Sequence, residues 1–165
     1  MNADRSEAYK ILSDLFLGPP DADTIRELKE DLELKSKDTP EEILEDYVFL
    51  FKFPGGRLVP IESVAVGSAG AGIADRVAGY YSDAGLTIDQ EFGLPPDHLA
   101  LELLFLSYLV DTDNMDLMEN FLDEHVMNWV PYYCQDVTEM AKTVFYREVS
   151  AITKDFLESE YEGLE

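Results

Sequence analysis

Asp97, His98 and Glu102 open a stretch, PPDHLALELLFLSYLV (residues 95–110), that is otherwise apolar almost all the way round. Positions 98 and 102 are i,i+4 neighbours on one helix face, so an imidazole and two carboxyls could work together there as a general acid–base group. The same spacing fits an N-cap at Asp97 followed by a surface pair of His98 and Glu102. The sequence offers little else for catalysis. His125 is the only other histidine, and no G-x-S-x-G, H-E-x-x-H or C-x-x-C pattern occurs. DTDNMD (111–116) has the look of a calcium loop but carries Met115 at a ligand position and Leu122 where the bidentate glutamate belongs, so it reads as a turn between helices. GSAGAG (67–72) lacks the Lys-Ser/Thr of a phosphate-binding loop. Cys134 stands alone, so neither an internal disulfide nor a cysteine metal cage is expected, and no cofactor is expected.

These residues must be held by something, and the composition supplies it. Hydrophobic residues make up 46% of 165 positions, enough for one domain with a real core. The formal charge of −23, from 35 acidic against 12 basic residues, repels phosphate backbones and anionic lipid, so nucleic acid and membrane surfaces are poor partners. A cationic partner would be drawn in, more weakly as salt rises. The N-terminus, MNADRSEAYK, lacks a basic start and an apolar core, and the Leu99–Val110 run is too short to span a bilayer. With the lone cysteine, this points to the cytoplasm, without stable membrane insertion.

Helical spacing recurs along the chain. Ala8, Ile11, Leu12, Leu15 and Phe16 form a first amphipathic helix that Gly18-Pro19-Pro20 stops. Residues 23–35 repeat the pattern more weakly. Thr39-Pro40-Glu41-Glu42 supplies a cap, a proline at the first helical position and acids in the first turn, predicting a helix from Pro40 to Phe51. FPGGRLVPIES (53–63) reads as a turn and an extended segment. A flexible GSAGAG then opens into a helix ended by Gly85, and a second connection covers 86–96. The helix from Leu99 follows, then a turn capped by Asp113 or Asn114 and a helix from Met115 to about Asn128. Pro131 marks a new start, and Val137 to Phe156 continue at helical intervals. ESEYEGLE at the end reads as frayed and solvated. The expectation is an all-α fold of about eight to nine helices, one domain over 1–157 with an acidic tail over 158–165.

Two segments read together say more. VPIES (59–63) followed by PPDHLALELLFLSYL (95–109) closely resembles the TorD/DmsD/NarJ family of redox-enzyme maturation chaperones, in which a P-(Y)-E-S segment precedes a P-D-H-L-x-x-E-L helix. YKILSDLFLGPP (9–20) is similar to that family's first helix and its Pro-rich stop, and FLDEHVMNWVPYY (121–133) to its F-x-x-x-H-x-x-x-W-x-P segment. Ile61 stands where an aromatic residue is usual, and Trp129 is the one tryptophan.

The resemblance implies a helical cytoplasmic chaperone that binds the N-terminal twin-arginine-type signal of a molybdopterin oxidoreductase's catalytic subunit and delays export until its cofactor is inserted. Such a signal pairs arginines with an apolar stretch, so its binder needs carboxylates beside an apolar groove. On this reading Glu62, Ser63, Asp97, His98 and Glu102 sit at the mouth of a crevice whose apolar side includes Val59, Pro60, Pro96 and Leu99. The rival account is that Glu62 and His98 only tie the long connection to the helix. A small hydrolase using Asp97, His98 and Glu102, and an acidic protein that mimics nucleic acid, are the readings from other classes. A homodimer is left open.

Overall fold

The computed structural model describes residues 2–89, 91 and 93–164; Met1, Gln90, Phe92 and Glu165, which fall in the expected domain, its second connection and the tail, lie outside the described residues. The described chain folds into helices α1 (Asn2–Leu17), α2 (Ala22–Asp31), α3 (Pro40–Phe51), α4 (Glu62–Ala65), α5 (Ile73–Asp83), α6 (Leu99–Asp111), α7 (Met115–Phe121), α8 (Met127–Met140) and α9 (Val144–Glu162). Extended pairing among the described residues is limited to one antiparallel bridge between Ile61 and His98.

The local signals act as their chemistry dictates. Thr39 and Glu42 form a reciprocal capping box at α3, Asp21 accepts from Thr24 N at the start of α2, and Asn114 caps α7. Gly85 ends α5 in the left-handed region at φ 80°.

The α6 helix is the axis of the molecule. Leu99, Leu103, Leu106 and Leu109 are fully buried, and the only exposed positions on it are Leu104, Tyr108 and Asp111. The α1 helix packs along it most extensively, closely enough for Ser6 Oγ to meet Ser107 Oγ at 2.9 Å and for Ser13 Oγ to donate to the Ala100 carbonyl at 2.6 Å. On the other side α8 packs on α9. An aromatic cluster of Phe16, Phe51 and Tyr146 joins α1, α3 and α9, with ring centroids 5.1–5.4 Å apart. Asp46, buried in α3, accepts from Thr143 N at 2.8 Å and Thr143 Oγ1 at 2.6 Å, and so fixes where α9 begins.

Three expectations are corrected. The second helix stops at Asp31; Leu32 and Leu34 still pack on the core, but Glu33 turns at φ 53° and the Glu148 carboxylate takes the Lys35 and Ser36 amides. Pro131 lies inside α8 and begins nothing. A π-helical turn at Leu122–Val126 joins α7 to α8, and Asn128 Nδ2 donates to the Asp123 and Glu124 carbonyls there, so the chain runs on as helix. The C-terminal segment is helical through Glu162, because Leu157 is fully buried, Arg5 pairs with Glu160 at 3.0 Å and Tyr161 donates to Asp123 at 2.7 Å.

Candidate functional site

The two connections singled out in the sequence lie side by side. Besides the Ile61–His98 bridge, Glu62 N donates to Asp97 O at 3.0 Å and Leu99 N to Pro60 O at 2.8 Å. VPIES therefore runs antiparallel to PDHL, and this pairing brings Glu62 and Glu102 into one buried cluster. Gly70 belongs to the same construction: it packs so closely on the Ser63 backbone that a Cβ would collide with it.

Each polar residue has a local reason for its place. His98, not Asp97, is the N-cap of α6, its Nδ1 accepting from Ala100 N at 3.1 Å. That bond makes Nδ1 an acceptor and leaves the ring proton on Nε2. Asp97 instead accepts from Ser63 N at 2.8 Å and so caps the short α4 from outside its own chain segment. Glu102, fully buried, accepts from Trp129 Nε1 at 3.1 Å. Glu62 sits against His125, whose Nδ1 is 2.9 Å from Oε2 and 3.2 Å from Oε1. Tyr80 and Phe121 pack their rings on that imidazole at centroid distances of 5.4 and 5.5 Å.

The expected surface pair of His98 and Glu102 does not form: both side chains are buried and each has a different partner. The acid–base triad does not assemble either, since the His98 lone pair is spent on a backbone amide. Glu62, Asp97, His98, Leu99 and Glu102 are at most 3% exposed, Pro60 is also buried, and Val59, Ser63 and Pro96 are half-buried. In this conformation the carboxyls tie the 53–70 connection to α6 and are closed to solvent. Sequence reasoning quoted His125 and Trp129 but gave them no role. Their spacing from Phe121, four residues apart in turn, was the available signal: a histidine in register with two buried aromatics requires a polar partner.

Burial sets the protonation of the cluster. Glu102 is pushed well above the usual carboxylate range, first by desolvation and then by Glu62 beside it, with the Trp129 bond opposing. As a carboxylate its Oε2 would have no donor, and neither does Asp97 Oδ1. Protonated, Glu102 becomes a donor to Glu62, which gives Glu102 its partner and leaves Asp97 Oδ1 as the acceptor without a donor. Among the described residues no group of three His, Cys, Asp or Glu side chains is arranged to hold a metal ion.

His98 is held down at about 4, from 6.5, by burial, against the pull of Asp97. Below pH 6.5 the unfolded chain therefore takes up a proton that the folded chain refuses, and stability falls until about pH 4. At about 1.4 kcal/mol per pH unit the loss reaches about 3 kcal/mol. His98→Asn keeps a capping side chain and removes the titration. Its melting temperature should fall less steeply than the wild type's between pH 6.5 and 4, and parallel curves would refute the assignment.

Along the outside of this cluster runs a groove of about 420 Å³, between the 57–66 connection and α8. Val59, Val64, Trp129 and Tyr132 line it, with Asp136 at its rim. Trp129 belongs to both places, its ring lining the groove and its indole N–H on Glu102.

This all-helical fold is shared with a redox-enzyme maturation protein. A solved structure described as a redox enzyme maturation protein from Archaeoglobus fulgidus matches with a TM-score of 0.62 and 26% identity over 93% of both chains. The family model described as the nitrate reductase delta subunit matches residues 16–135, and the chain belongs to that family. It is 27% identical to a chaperone protein TorD from Photobacterium profundum over 85% of this chain and 73% of the relative. It is also 29% identical over 80 residues to a chaperone protein TorD from Shewanella pealeana, a match that covers 48% of this chain and 36% of that protein. The chain thus spans only about a third of the length of some of the curated relatives it matches.

Proposed function

We propose that this chain is a cytoplasmic chaperone for the maturation of a molybdenum-containing oxidoreductase. It binds the N-terminal, twin-arginine-type signal of the catalytic subunit and delays export until the cofactor is in place. Family membership supports this reading, and one observation carries it. A groove of mixed lining, apolar at Val59, Val64 and Trp129 but with Arg57 and Asn128 beside them, is open enough to leave Tyr132 68% exposed and shares Trp129 with a buried set of carboxyls.

The apolar stretch of the signal would lie on Val59, Val64, Trp129 and Tyr132. Its arginines would meet Asp136 at the rim, which carries no ion pair among the described residues. Deeper engagement asks α4 to lift, since Asp97 Oδ1 is a buried acceptor without a donor and a guanidinium supplies donors. Four residues make a helix too short to be stable alone, so α4 is the element with least to lose.

Calorimetry with a synthetic twin-arginine signal peptide tests the reading. Replacing both arginines with glutamine should weaken binding about tenfold or more, the worth of one or two charge-assisted contacts. Asp97→Asn still accepts from Ser63 N, so it should leave the melting temperature unchanged while lowering affinity. Equal affinity for both peptides, unaffected by salt, would remove the electrostatic part, and no binding to either would remove the proposal.

A further inference from the structure

Trp129 lines the groove beside α8 yet is only 2% exposed, so its indole is part of the wall rather than a side chain free in the opening. Its one polar group, the Nε1–H, donates inward to Glu102 Oε1 at 3.1 Å. The ring packs on Tyr133 with 5.3 Å between centroids, and Tyr133 is fixed in turn by its hydroxyl, which donates to Leu58 O at 2.6 Å. Glu102 is fully buried in α6 and takes no part in the groove lining. Its other partner is Glu62, the first residue of α4, and Val64 of the same short helix lines the groove on the side facing α8. Glu62 is anchored from behind by His125 Nδ1 at 2.9 Å. Glu102 thus stands between the two walls, bonded to α8 on one side and to α4 on the other.

We propose that Glu102 is the positioning residue of this groove: by holding the Trp129 indole in the wall it fixes the shape that a bound peptide meets, without touching the peptide. The inference deepens the signal-peptide reading and rests on it for the identity of the ligand. An indole N–H can only donate, and burying it without an acceptor is costly. Without the Glu102 oxygen the ring gains by turning its N–H toward water, and the groove is the side on which water lies. A ring so turned breaks the wall, and affinity falls by the fraction of molecules that carry it. The acceptor is what matters, not the charge. Glu102→Gln keeps an oxygen for the indole and a nitrogen for Glu62, whereas Glu102→Leu fills a similar volume and accepts nothing.

Trp129 is the one tryptophan, so its fluorescence and its single indole N–H resonance read the ring directly. In the free wild-type chain the indole N–H should exchange slowly with solvent. Glu102→Leu should shift the emission to longer wavelength and weaken binding of the synthetic twin-arginine peptide at least about fivefold. Glu102→Gln should restore the wild-type emission and bring affinity back to within about twofold. In a Trp129→Phe background, which has no N–H to hold, adding Glu102→Leu should change affinity by no more than about twofold. A merely structural Glu102 would instead lower the melting temperature in both backgrounds and leave emission and affinity of the folded chain alone, and that result would overturn the inference. So would an equal loss of affinity in the two backgrounds, or no rescue by glutamine. If Glu102→Leu does not fold, the wild type still decides, because an indole N–H exchanging as fast as an exposed one would refute the pin. A wild type that binds no peptide would remove the signal-peptide reading and leave the emission and exchange results to decide whether Glu102 holds the ring.

Discussion

Replacing Glu62 with alanine should lower stability by about 3–5 kcal/mol, the usual cost of removing one partner from a buried ionic or hydrogen-bonded pair. Glu62 is 3% exposed and both its carboxyl oxygens face His125 Nδ1, at 2.9 and 3.2 Å. Its loss strands that nitrogen and also removes the acceptor for the protonated Glu102. For a chain of this length the corresponding fall in melting temperature is about 10 °C. Glu62→Gln should lose well under half as much, since its amide oxygen still accepts from His125 and its amide nitrogen can donate toward Glu102. His125→Ala should resemble Glu62→Ala, and the double variant should be less destabilised than the two losses added, by at least about 1 kcal/mol. Hydrogen exchange should quicken at the amides of 61–66 before the rest of the protein, because α4 is held by these contacts. A change within about 1 kcal/mol for Glu62→Ala would show that the pair does not hold the connection.

The second large effect depends on pH. Glu102 is kept protonated in the folded state by burial and by Glu62, while in the unfolded chain it ionises at about 4.5. The folded chain therefore binds more protons above pH 4.5. The stability attached to this group is complete below 4.5 and is lost as pH rises toward the folded value, at about 1.4 kcal/mol per unit. Glu102→Gln reproduces the protonated acid, with an oxygen for Trp129 Nε1 and a nitrogen for Glu62, and has nothing to titrate. The variant should match the wild type at pH 4 and exceed it increasingly from pH 5 to 8, reaching several degrees in melting temperature. This window opposes that of His98, whose loss lies on the acid side, so the two variants separate the contributions. Curves for Glu102→Gln and wild type that stay parallel from pH 5 to 8 would falsify the protonated assignment.

Much of the fold was legible because it rests on neighbours within four residues. The Thr39 capping box and Pro40 set α3 at the expected Pro40–Phe51, Gly18-Pro19-Pro20 stopped α1, and a run apolar on every face could only be the central helix. The VPIES and PPDHL pattern also carried the family, since it survives as residue types in order. A buried polar group's partner, by contrast, is chosen by elements that meet only after folding. Asp97 caps a helix 34 residues earlier in the chain, Glu62 and His125 meet across 63 positions, and Glu102 finds Trp129 27 residues on. Periodicity says neither that such groups are buried nor what satisfies them, so Asp97 read as the cap of its own helix, His98 and Glu102 as a surface pair, and His125 had no role. The same holds for Pro131 and the C-terminal turns. Local rules predicted a break and a frayed end, but Pro131 sits in the first turns of α8, where Val130 and Tyr133 are buried in the core, and packing and side-chain bonds kept the C-terminal turns helical. By itself the sequence determined that the fold is helical, where most of the helices lie and which apolar residues form the core. The tertiary structure decided which polar groups face one another, because that depends on how α4, α6 and α8 cross, and the crossing is set by the shape of the whole apolar core.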